Sequence, residues 1–510
     1  MKFIVTKTIW AFLFFFSIKC LAFHPETTHA GITETAAYSG ELHKWLKNKF
    51  QLENGIWESL RLHPKTLPRV RRWFFVQDVF RLNPANGYAP DKNLDNRAIG
   101  WLAAGSVLEA IPSSRVRHHF FNPSTEKGLD QKKEYPSLST KVRFWDYLYG
   151  SGSFAGFLTG ANFDLKGKSA IKWAVSKKNQ YSLNEHLRHR YLAQVSKSQK
   201  VRDHHLSMAL ISMGALAHLL QKMACPAYVR NDFVHSHLTK GNIIGGTPFA
   251  RYVARHYGKS GIPQDKETTP PAFTRFRDFF KNKNKTGLAQ ITSENYYSPG
   301  TLPAIKKIRK LTTPNAEKKN NRGKDDMGSA ASTVSAKIFQ SLKPDDAFYY
   351  NRPSKTNGLS TIKLFAYGKT PQGKKKIWLD RRVYRDYAEE ILPRAVNYTR
   401  GLFSFLTRGS ILMENKENNL HLLNKGVPLK KGTLEVFAEK KDKTRNLIHK
   451  ETIEKTIKTG TTILSIPTEK IPSDTVLVVA VFKGKDLNDE PVIADGVIAD
   501  GVWQGASTQE

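Results

Sequence analysis

The sequence predicts a mainly α-helical protein that ends in a β-rich domain, and three observations carry this prediction. Apolar residues recur at the three- and four-residue spacing of a helix over residues 209–220 and 382–407. From about Ile411 the pattern changes to the alternation of strands, interrupted by lysine, glycine and asparagine turns. The chain has 510 residues, whereas a single core stops growing at roughly 250–300 residues. We therefore expect more than one domain.

The first 22 residues have the pattern of a secretory signal peptide. Lys2 and Lys7 precede an apolar run over residues 9–18, and the segment ends at Cys20-Leu-Ala22, where small residues suit cleavage. The apolar run is shorter than the roughly 20 residues that a membrane span needs. No later stretch is long and apolar enough to cross a bilayer. We expect cleavage after Ala22 and a secreted or periplasmic protein.

The rest of the chain divides into a helical domain over residues 23–409 and a β-rich domain over residues 410–510. Within the first, residues 258–335 are rich in lysine, asparagine, threonine, glycine and proline and lack apolar periodicity, which predicts a mobile basic insertion. Within the second, the short β-rich runs, among them 433–438 and 475–482, have the spacing of a β-sandwich of roughly 100 residues.

Charge and cysteine content narrow the class of protein further. The formal net charge is +35. An exported protein this basic attracts anionic phospholipid, lipopolysaccharide or nucleic acid, although a merely solvated basic surface gives the same excess. Cys20 and Cys225 are the two cysteines, so the mature chain keeps one thiol and forms no internal disulfide. We interpret Cys225 as a small buried hydrophobic residue.

The helix predicted over residues 209–225 carries the most informative chemistry. Pro226 ends it, because proline cannot continue a helix beyond the residue before it. His218 lies on this helix. Position 222, one turn later on the same face, and position 228, just past the helix end, are where further metal ligands would be expected. Lys222 and Tyr228 occupy those two positions.

The frame around this helix resembles the zinc-dependent phospholipase C and single-strand-specific nuclease superfamily. That family has His-x-x-x-acid-x-x-x-Pro-x-His followed by Asn-Asp-Phe. Two segments are similar to a secreted bacterial branch of this superfamily: His218-Leu-Leu-Gln and Pro226-Ala-Tyr-Val-Arg-Asn-Asp-Phe233. The resemblance covers residues 23–409 in patches. It implies a phospholipase C-like helical fold and phosphodiester hydrolysis at a cluster of zinc ions.

The resemblance also identifies the metal-ligand positions, several of which are degenerate here. His29, His119 and His218 match, and the amino terminus of Phe23, if cleavage exposes it, falls on another ligand position. Glu109 lies beside a lost bridging acid and His235 follows the key helix, so both are possible substitutes. The family's other ligands are replaced by Ala110, Lys222, Tyr228, Gly246 and Ala250.

The loss of these acids leaves two functional hypotheses open. Three imidazoles can hold one Zn²⁺ with water as the fourth ligand, which is fewer ions than the family pattern. However, an ammonium at Lys222 beside that cation would cost on the order of several kcal/mol even at an effective dielectric of 20. The first hypothesis is a non-catalytic or weakly active binder of phosphate-bearing anionic ligands. The second is an active zinc phosphodiesterase with ligands drawn from Glu109, His204, His235 or His237.

Under the first hypothesis Lys222 stands in for the lost metal charge. The cleft would then stay electropositive, and Lys222, Tyr228 and Arg230 would bind phosphate. Lys222 pointing outward, with the three histidines satisfied by hydrogen bonds, is the simpler alternative. The partner would be an anionic phospholipid or another phosphate-bearing surface, with nucleic acid also possible.

Overall fold

The structure is a computed structural model that describes residues 25–64, 75–76, 78–79, 82, 87–111, 113–130, 166–232, 247–258, 261–264, 268–304, 348–354, 361–369 and 373–499. The predictions for the signal peptide and for Phe23, Gly246, His235 and His237 lie outside these residues. Ten α-helices occur in the described part of the chain: α1 (Ala30–Tyr38), α2 (Leu42–Phe50), α3 (Ala98–Leu108), α4 (Ala170–Ala174), α5 (Leu183–Val195), α6 (Gln199–Lys222), α7 (Pro226–Val229), α8 (Pro248–His256), α9 (Leu288–Asn295) and α10 (Arg381–Leu406).

Helix α6 is the centre of the helical domain. Every residue from Leu206 to Lys222 is buried, because α3, α5 and α10 pack around it. The crossing of α3 and α6 is unusually close. A Cβ atom on Gly214 would lie 1.9 Å from the Leu102 carbonyl oxygen, and one on Gly105 would lie 2.0 Å from the Ile211 carbonyl oxygen. Glycine at both positions lets the two backbones touch.

Helix α10 runs without a break through Pro393. The sequence leaves open whether this proline kinks the helix or begins a second one, and the structure has one helix of 26 residues. Its first turn is capped by Asp380, whose side chain accepts a hydrogen bond from the Val383 amide. Helices α6 and α10 contact each other, and α1 packs on both of them.

A three-stranded antiparallel sheet also belongs to the helical part of the chain, and the sequence pattern does not predict it. Its strands β3 (Phe348–Pro353), β4 (Thr361–Lys369) and β5 (Lys375–Trp378) follow in sequence order. The central strand packs on α10, where the Tyr387 hydroxyl donates a hydrogen bond of 2.7 Å to the Leu364 carbonyl. A further pair of short strands, β1 (Ser59–Arg61) and β2 (Asp95–Arg97), precedes α3.

The C-terminal part is a curled sheet of seven strands. They are β6 (Gly409–Lys416), β7 (Asn419–Asn424), β8 (Leu429–Lys440), β9 (Arg445–Ile453), β10 (Thr462–Pro467), β11 (Thr475–Asp486) and β12 (Pro491–Ala499). Their spatial order is β10-β7-β6-β12-β11-β8-β9. Among these described strands, only the short β6–β12 pairing is parallel, and it joins two antiparallel portions. Side chains from both portions share one hydrophobic core.

The class of the molecule is therefore a helical part followed by a β part, and "mainly α" understates its strands. The reason is that residues 348–378 and 409–499 both form sheet, and only the second region shows clear alternation in the sequence. Residues 268–304 also differ from the mobile segment expected there. They carry α9 and buried aromatic residues, including Phe276, Phe279 and Tyr296. These few large side chains anchor a stretch whose average composition is polar.

The helical and β parts meet at α5 through buried polar contacts. Arg190 on α5 forms an ion pair of 2.9 Å with Asp495 on β12, and both side chains are almost fully buried. Gln194 donates a hydrogen bond to the same carboxylate. The Tyr191 hydroxyl donates to Glu435 on β8. None of the helices in the described part of the chain is long and apolar enough to cross a membrane.

Candidate functional site

The structure brings together the three histidines that the sequence singles out. His29 lies directly before α1, His119 follows a short helical turn after α3, and His218 lies on α6. All three are 0% exposed. The rings of His29 and His218 stack with centroids 3.9 Å apart at 27°, and the His119 ring meets His218 edge-on at 4.8 Å. The site is thus part of the helical core.

Hydrogen bonds fix the tautomers of two of these rings. His29 Nδ1 lies 2.7 Å from Gln221 Oε1, and His218 Nδ1 lies 2.6 Å from the Ser106 carbonyl oxygen. Both partners are acceptors, so each Nδ1 carries the proton and each neutral ring keeps a lone pair on Nε2. Gln221 is itself held in place by donating to Thr33 Oγ1 at 2.9 Å. Within the described residues His218 Nε2 makes no hydrogen bond.

Glu109 brings a carboxylate next to these rings, and its oxygens are already engaged. Its Oε2 lies 2.5 Å from Arg115 Nη2, and its Oε1 accepts a hydrogen bond of 2.8 Å from the Trp173 indole. His119 Nε2 is 3.4 Å from the same Oε1. Burial alone would raise the pKa of Glu109, but the Arg115 charge and the His119 contact outweigh it and leave that pKa below its ordinary value.

Lys222 enters the cluster as a buried cation. It is 0% exposed, and its Nζ lies 5.0 Å from the centre of the Tyr228 ring, as in a cation–π contact. Burial lowers the pKa of His119 to about 4, and the Lys222 charge acts in the same direction. The pKa of His218 is also well below its ordinary value because of burial, the neighbouring His29 and Lys222. His119 and His218 are therefore neutral at pH 7.

The three residues predicted to bind phosphate do not meet at one open surface. Tyr228 is buried and stacks on Phe120 with centroids 4.3 Å apart. Arg230 donates to the backbone carbonyls of Tyr296 and Ser293. Its guanidinium also lies over the Tyr297 ring. Their role in binding phosphate stays a prediction, and in this structure they contact protein groups.

The residues that the structure describes do not fit a resident zinc cluster. Among the described residues, no group of three or more histidine, cysteine, aspartate or glutamate side chains is arranged to hold a metal ion. Face-to-face stacking of His29 on His218 keeps their in-plane lone pairs side by side, so one ion cannot lie in both ring planes. Glu109 is paired with Arg115, and Lys222 adds a positive charge. These side chains therefore support no zinc-dependent step.

His204, an alternative ligand suggested by the sequence, belongs to a different cluster. It precedes His218 on α6 by 14 residues, which is about 21 Å along a helix. His204 lies with His189 and His205 in the packing of α5 against α6. The segment Glu185-His186-Leu-Arg-His189 lacks an apolar helical pattern, which predicts a solvated helix face; this prediction is wrong, because both histidines are buried. Helix α5 has a mixed sequence but is covered by α6 and by the β part.

Sequence reasoning missed the groups that hold the histidines in position. Gln221 lies three residues after His218 in the segment His-Leu-Leu-Gln, so its position about one helical turn from His218 could be read from the sequence. Ser106 was not visible as a partner, because its backbone carbonyl reaches His218 only through the close crossing of α3 and α6. The Trp173 contact with Glu109 spans 64 residues and depends on the fold.

Comparison with known proteins gives little beyond this geometry. No family model and no curated protein matches the chain. Among solved structures, an alpha toxin from Clostridium absonum is similar at 12% identity over 94% of each chain, with a TM-score of 0.28. The alpha-toxin of a Clostridium perfringens avian strain is similar at 11% identity over 93% of this chain and 92% of that one, with a TM-score of 0.24. With TM-scores below 0.5, these likenesses carry no argument here.

Proposed function

We propose that this chain is an exported, non-catalytic protein built on a phospholipase C-like helical scaffold, and that it acts by binding phosphate-bearing anionic surfaces. The single observation that carries the proposal is Lys222. Its ammonium is buried at the frame position where the resembling family has an acid, next to His119 and His218. A buried cation at this position disfavours adjacent divalent ions.

The histidine cluster then has a structural role. Its rings stack on each other and are tied by Gln221 and the Ser106 carbonyl to α1, α3 and α6. Because every member is 0% exposed, an external ligand does not reach it without an opening of the core. Binding of anions is therefore assigned to the surface, where a net charge of +35 favours phosphate groups.

A zinc phosphodiesterase is the second candidate, and one observation favours it. Both His29 and His218 donate through Nδ1 to an oxygen, which is the arrangement that orients metal-binding histidines and leaves Nε2 as the ligand atom. Further ligands would have to come from the amino terminus of Phe23 or from His235, which the sequence allows. The ion pair of Glu109 with Arg115 and the charge of Lys222 make this the weaker candidate.

Hydrolysis assays on the chain without its predicted signal peptide (residues 23–510) test the proposal. We expect no cleavage of phosphatidylcholine or of a chromogenic phosphodiester, with or without added zinc, and salt-sensitive binding to vesicles that contain phosphatidylglycerol. His218→Ala is the matched control for contaminating activity. Hydrolysis that the wild-type chain shows and His218→Ala lacks would establish the enzyme instead. Failure to bind anionic vesicles would reject the binding function.

A further inference from the structure

The three-stranded sheet carries a row of apolar side chains beside a row of lysines. Phe348, Tyr367 and Ile377 are partners across β3, β4 and β5, so they lie on one face. Lys369 and Lys375 are partners two residues further along, so alternation puts them on the same face. We call these five residues the lysine–aromatic face.

This face becomes more exposed toward one end. Phe365, two residues before Tyr367 and on the same face, is fully buried and meets Tyr297 edge-on with centroids 5.7 Å apart. Tyr367 is half-buried. At the far end, Phe348 is 57% exposed although its ring stacks on Tyr367 at 5.7 Å. The face is therefore anchored at one end in the protein and presents an aromatic side chain and lysines to solvent at the other.

The cations on this sheet differ in whether acids balance them. Lys363 is paired with Asp386 on α10, and Arg352 is paired with Glu390 on the same helix. Lys369 and Lys375, in contrast, make no ion pair with any described residue. The described strands β3 to β5 also contain no aspartate or glutamate. Within the described residues, no acid is therefore paired with the two lysines at the exposed end, and Asp345 and Asp346, which precede β3 in the sequence, lie outside the described residues.

Placing two lysines directly opposite each other in a sheet is unfavourable. Like charges at cross-strand partner positions repel, and Lys369 faces Lys375 in the register. Lys376 follows in the sequence and adds a third ammonium at the same hairpin. An anionic partner relieves this repulsion, because it supplies the opposite charge that the described strands β3 to β5 lack.

From this arrangement we infer that the lysine–aromatic face docks on an anionic phospholipid bilayer, with Phe348 inserted at the interface and Lys369 and Lys375 at the headgroup phosphates. Exposed phenylalanine beside lysine is the pattern of proteins that lie in the membrane interface. The cations on the face are lysines, which act as point charges and tolerate the varied orientations of headgroups. The inference rests on the proposed function, since it assigns the surface that carries it.

Vesicle sedimentation with residues 23–510 tests the inference. The vesicles contain phosphatidylglycerol and phosphatidylcholine, and pure phosphatidylcholine vesicles serve as the neutral reference. We expect Lys369→Gln with Lys375→Gln to weaken partitioning onto the anionic vesicles roughly 20-fold, since each lysine near such a surface contributes about fivefold. Phe348→Ser should weaken it roughly fivefold to tenfold.

Matched controls are available on the β part. Lys455→Gln with Lys458→Gln removes the same charge from exposed positions, and Leu447→Ser removes an apolar side chain that is 50% exposed on β9. We expect both controls to bind within about twofold of wild type. Equal thermal unfolding midpoints for all variants ensure that binding, and not folding, is compared.

The outcomes separate this inference from the proposed function. If wild type binds anionic vesicles but the face variants bind as well as their controls, the bilayer docks elsewhere and only this inference fails. If wild type binds no anionic vesicle, the proposed function fails with it. If the face variants lose binding to single-stranded DNA while wild type ignores vesicles, the occupant is a nucleic acid and the bilayer assignment is overturned.

Discussion

At the scale of single residues, the buried cluster combines three histidines with Glu109 and Lys222. The resemblance of the surrounding sequence to a known superfamily singled out the three histidines, and the structure places their rings in contact. The partner of His218 was not identifiable, since Ser106 contributes a backbone carbonyl, and neither were the contacts of Arg115 and Trp173 that hold Glu109. Sequence alone also left the direction of Lys222 open, and burial decides it.

Glu109→Gln tests whether this carboxylate is structural. Removing its charge leaves the buried Arg115 guanidinium without its ion pair, and breaking such a pair costs about 3–5 kcal/mol. We expect chemical denaturation to show a loss of unfolding free energy of that size. Glu185→Gln is the control, because its pair with Arg188 is partly exposed and should contribute less than about 1 kcal/mol. A neutral Glu109→Gln would contradict the structural role.

At the scale of elements, helices with long apolar patterns were predictable and the three-stranded sheet was not. Helices α6 and α10 have extended periodicity, and their positions follow from it. Strands β3 and β5 are short, and β4 and β5 carry lysines, so the alternation of this sheet does not stand out. The burial of helix α5 was also not predictable. Its sequence is mixed and polar, and its histidines are buried only by packing against other elements.

Gly214→Ala tests the close crossing of α3 and α6. Alanine favours a helix by about 1 kcal/mol over glycine, but the added Cβ would lie 1.9 Å from the Leu102 carbonyl oxygen. The atoms on both sides of this contact are backbone and cannot move apart easily. The cost of overpacking should therefore exceed the gain in helix propensity, and the free energy of unfolding should fall by about 2 kcal/mol or more. Denaturant unfolding measures it, with Lys200→Ala on the exposed start of α6 expected within about 0.5 kcal/mol of wild type.

The α5–α6 packing contains a relay of neutral histidines. Arg188 donates to His189 Nε2, which leaves His189 Nδ1 to donate to His205 Nδ1 at 2.9 Å. The His63 amide donates to His204 Nδ1. Protonation of these acceptors would break the bonds.

Burial, and then the neighbouring histidines and Arg188, lowers the pKa of His204 to about 3. The facing charged and titratable groups are His63, Glu185, His186, Arg188 and His205.

This relay predicts acid sensitivity with a definite sign. The unfolded chain takes up protons on these histidines near their ordinary pKa of about 6.5, whereas the folded chain resists until about pH 3 to 4. The contribution of these histidines to the free energy of unfolding is therefore fully present above pH 6.5 and is lost as the pH falls. For His204 alone, this loss is about 2 kcal/mol at pH 5.

Denaturant unfolding of His204→Asn at pH 7.5 and pH 5 measures this effect. Asparagine keeps an acceptor for the His63 amide but does not titrate, so the loss between the two pH values should shrink by about 2 kcal/mol. The same substitution at His421, on the β7 surface where its Nδ1 contacts Ser465, is the control for replacing a histidine outside this packing. An unchanged loss in His204→Asn would contradict the relay.

At the scale of the whole molecule, buried polar contacts join the helical and β parts. The ion pair of Arg190 with Asp495 links positions 305 residues apart. A second group joins Arg202 on α6 with Glu439 and Arg445 of the β part. No local pattern identifies such partners, because Arg190 and Arg202 look like surface residues in their own helices. The change from helices to strands along the chain was predictable, and the contacts between the two parts were not.

Asp495→Asn tests this interface. It leaves Arg190, which is 1% exposed, without its carboxylate, and we expect a loss of about 3–5 kcal/mol. Denaturation followed by fluorescence and circular dichroism should show the helical part destabilised together with the sheet. Asp489→Asn is the control, since its pair with Lys430 is exposed and should contribute less than about 1 kcal/mol. Loss confined to the sheet signal would show that the parts are independent.

The zinc content of the purified chain, residues 23–510, tests the central claim most directly. Elemental analysis after dialysis against zinc-containing buffer should find less than one zinc per chain, because Lys222 adds a buried positive charge to the cluster and Glu109 is already paired. A chelator should then leave the thermal midpoint unchanged. Two to three tightly held zinc ions per chain, lost together with stability on chelation, would contradict the account.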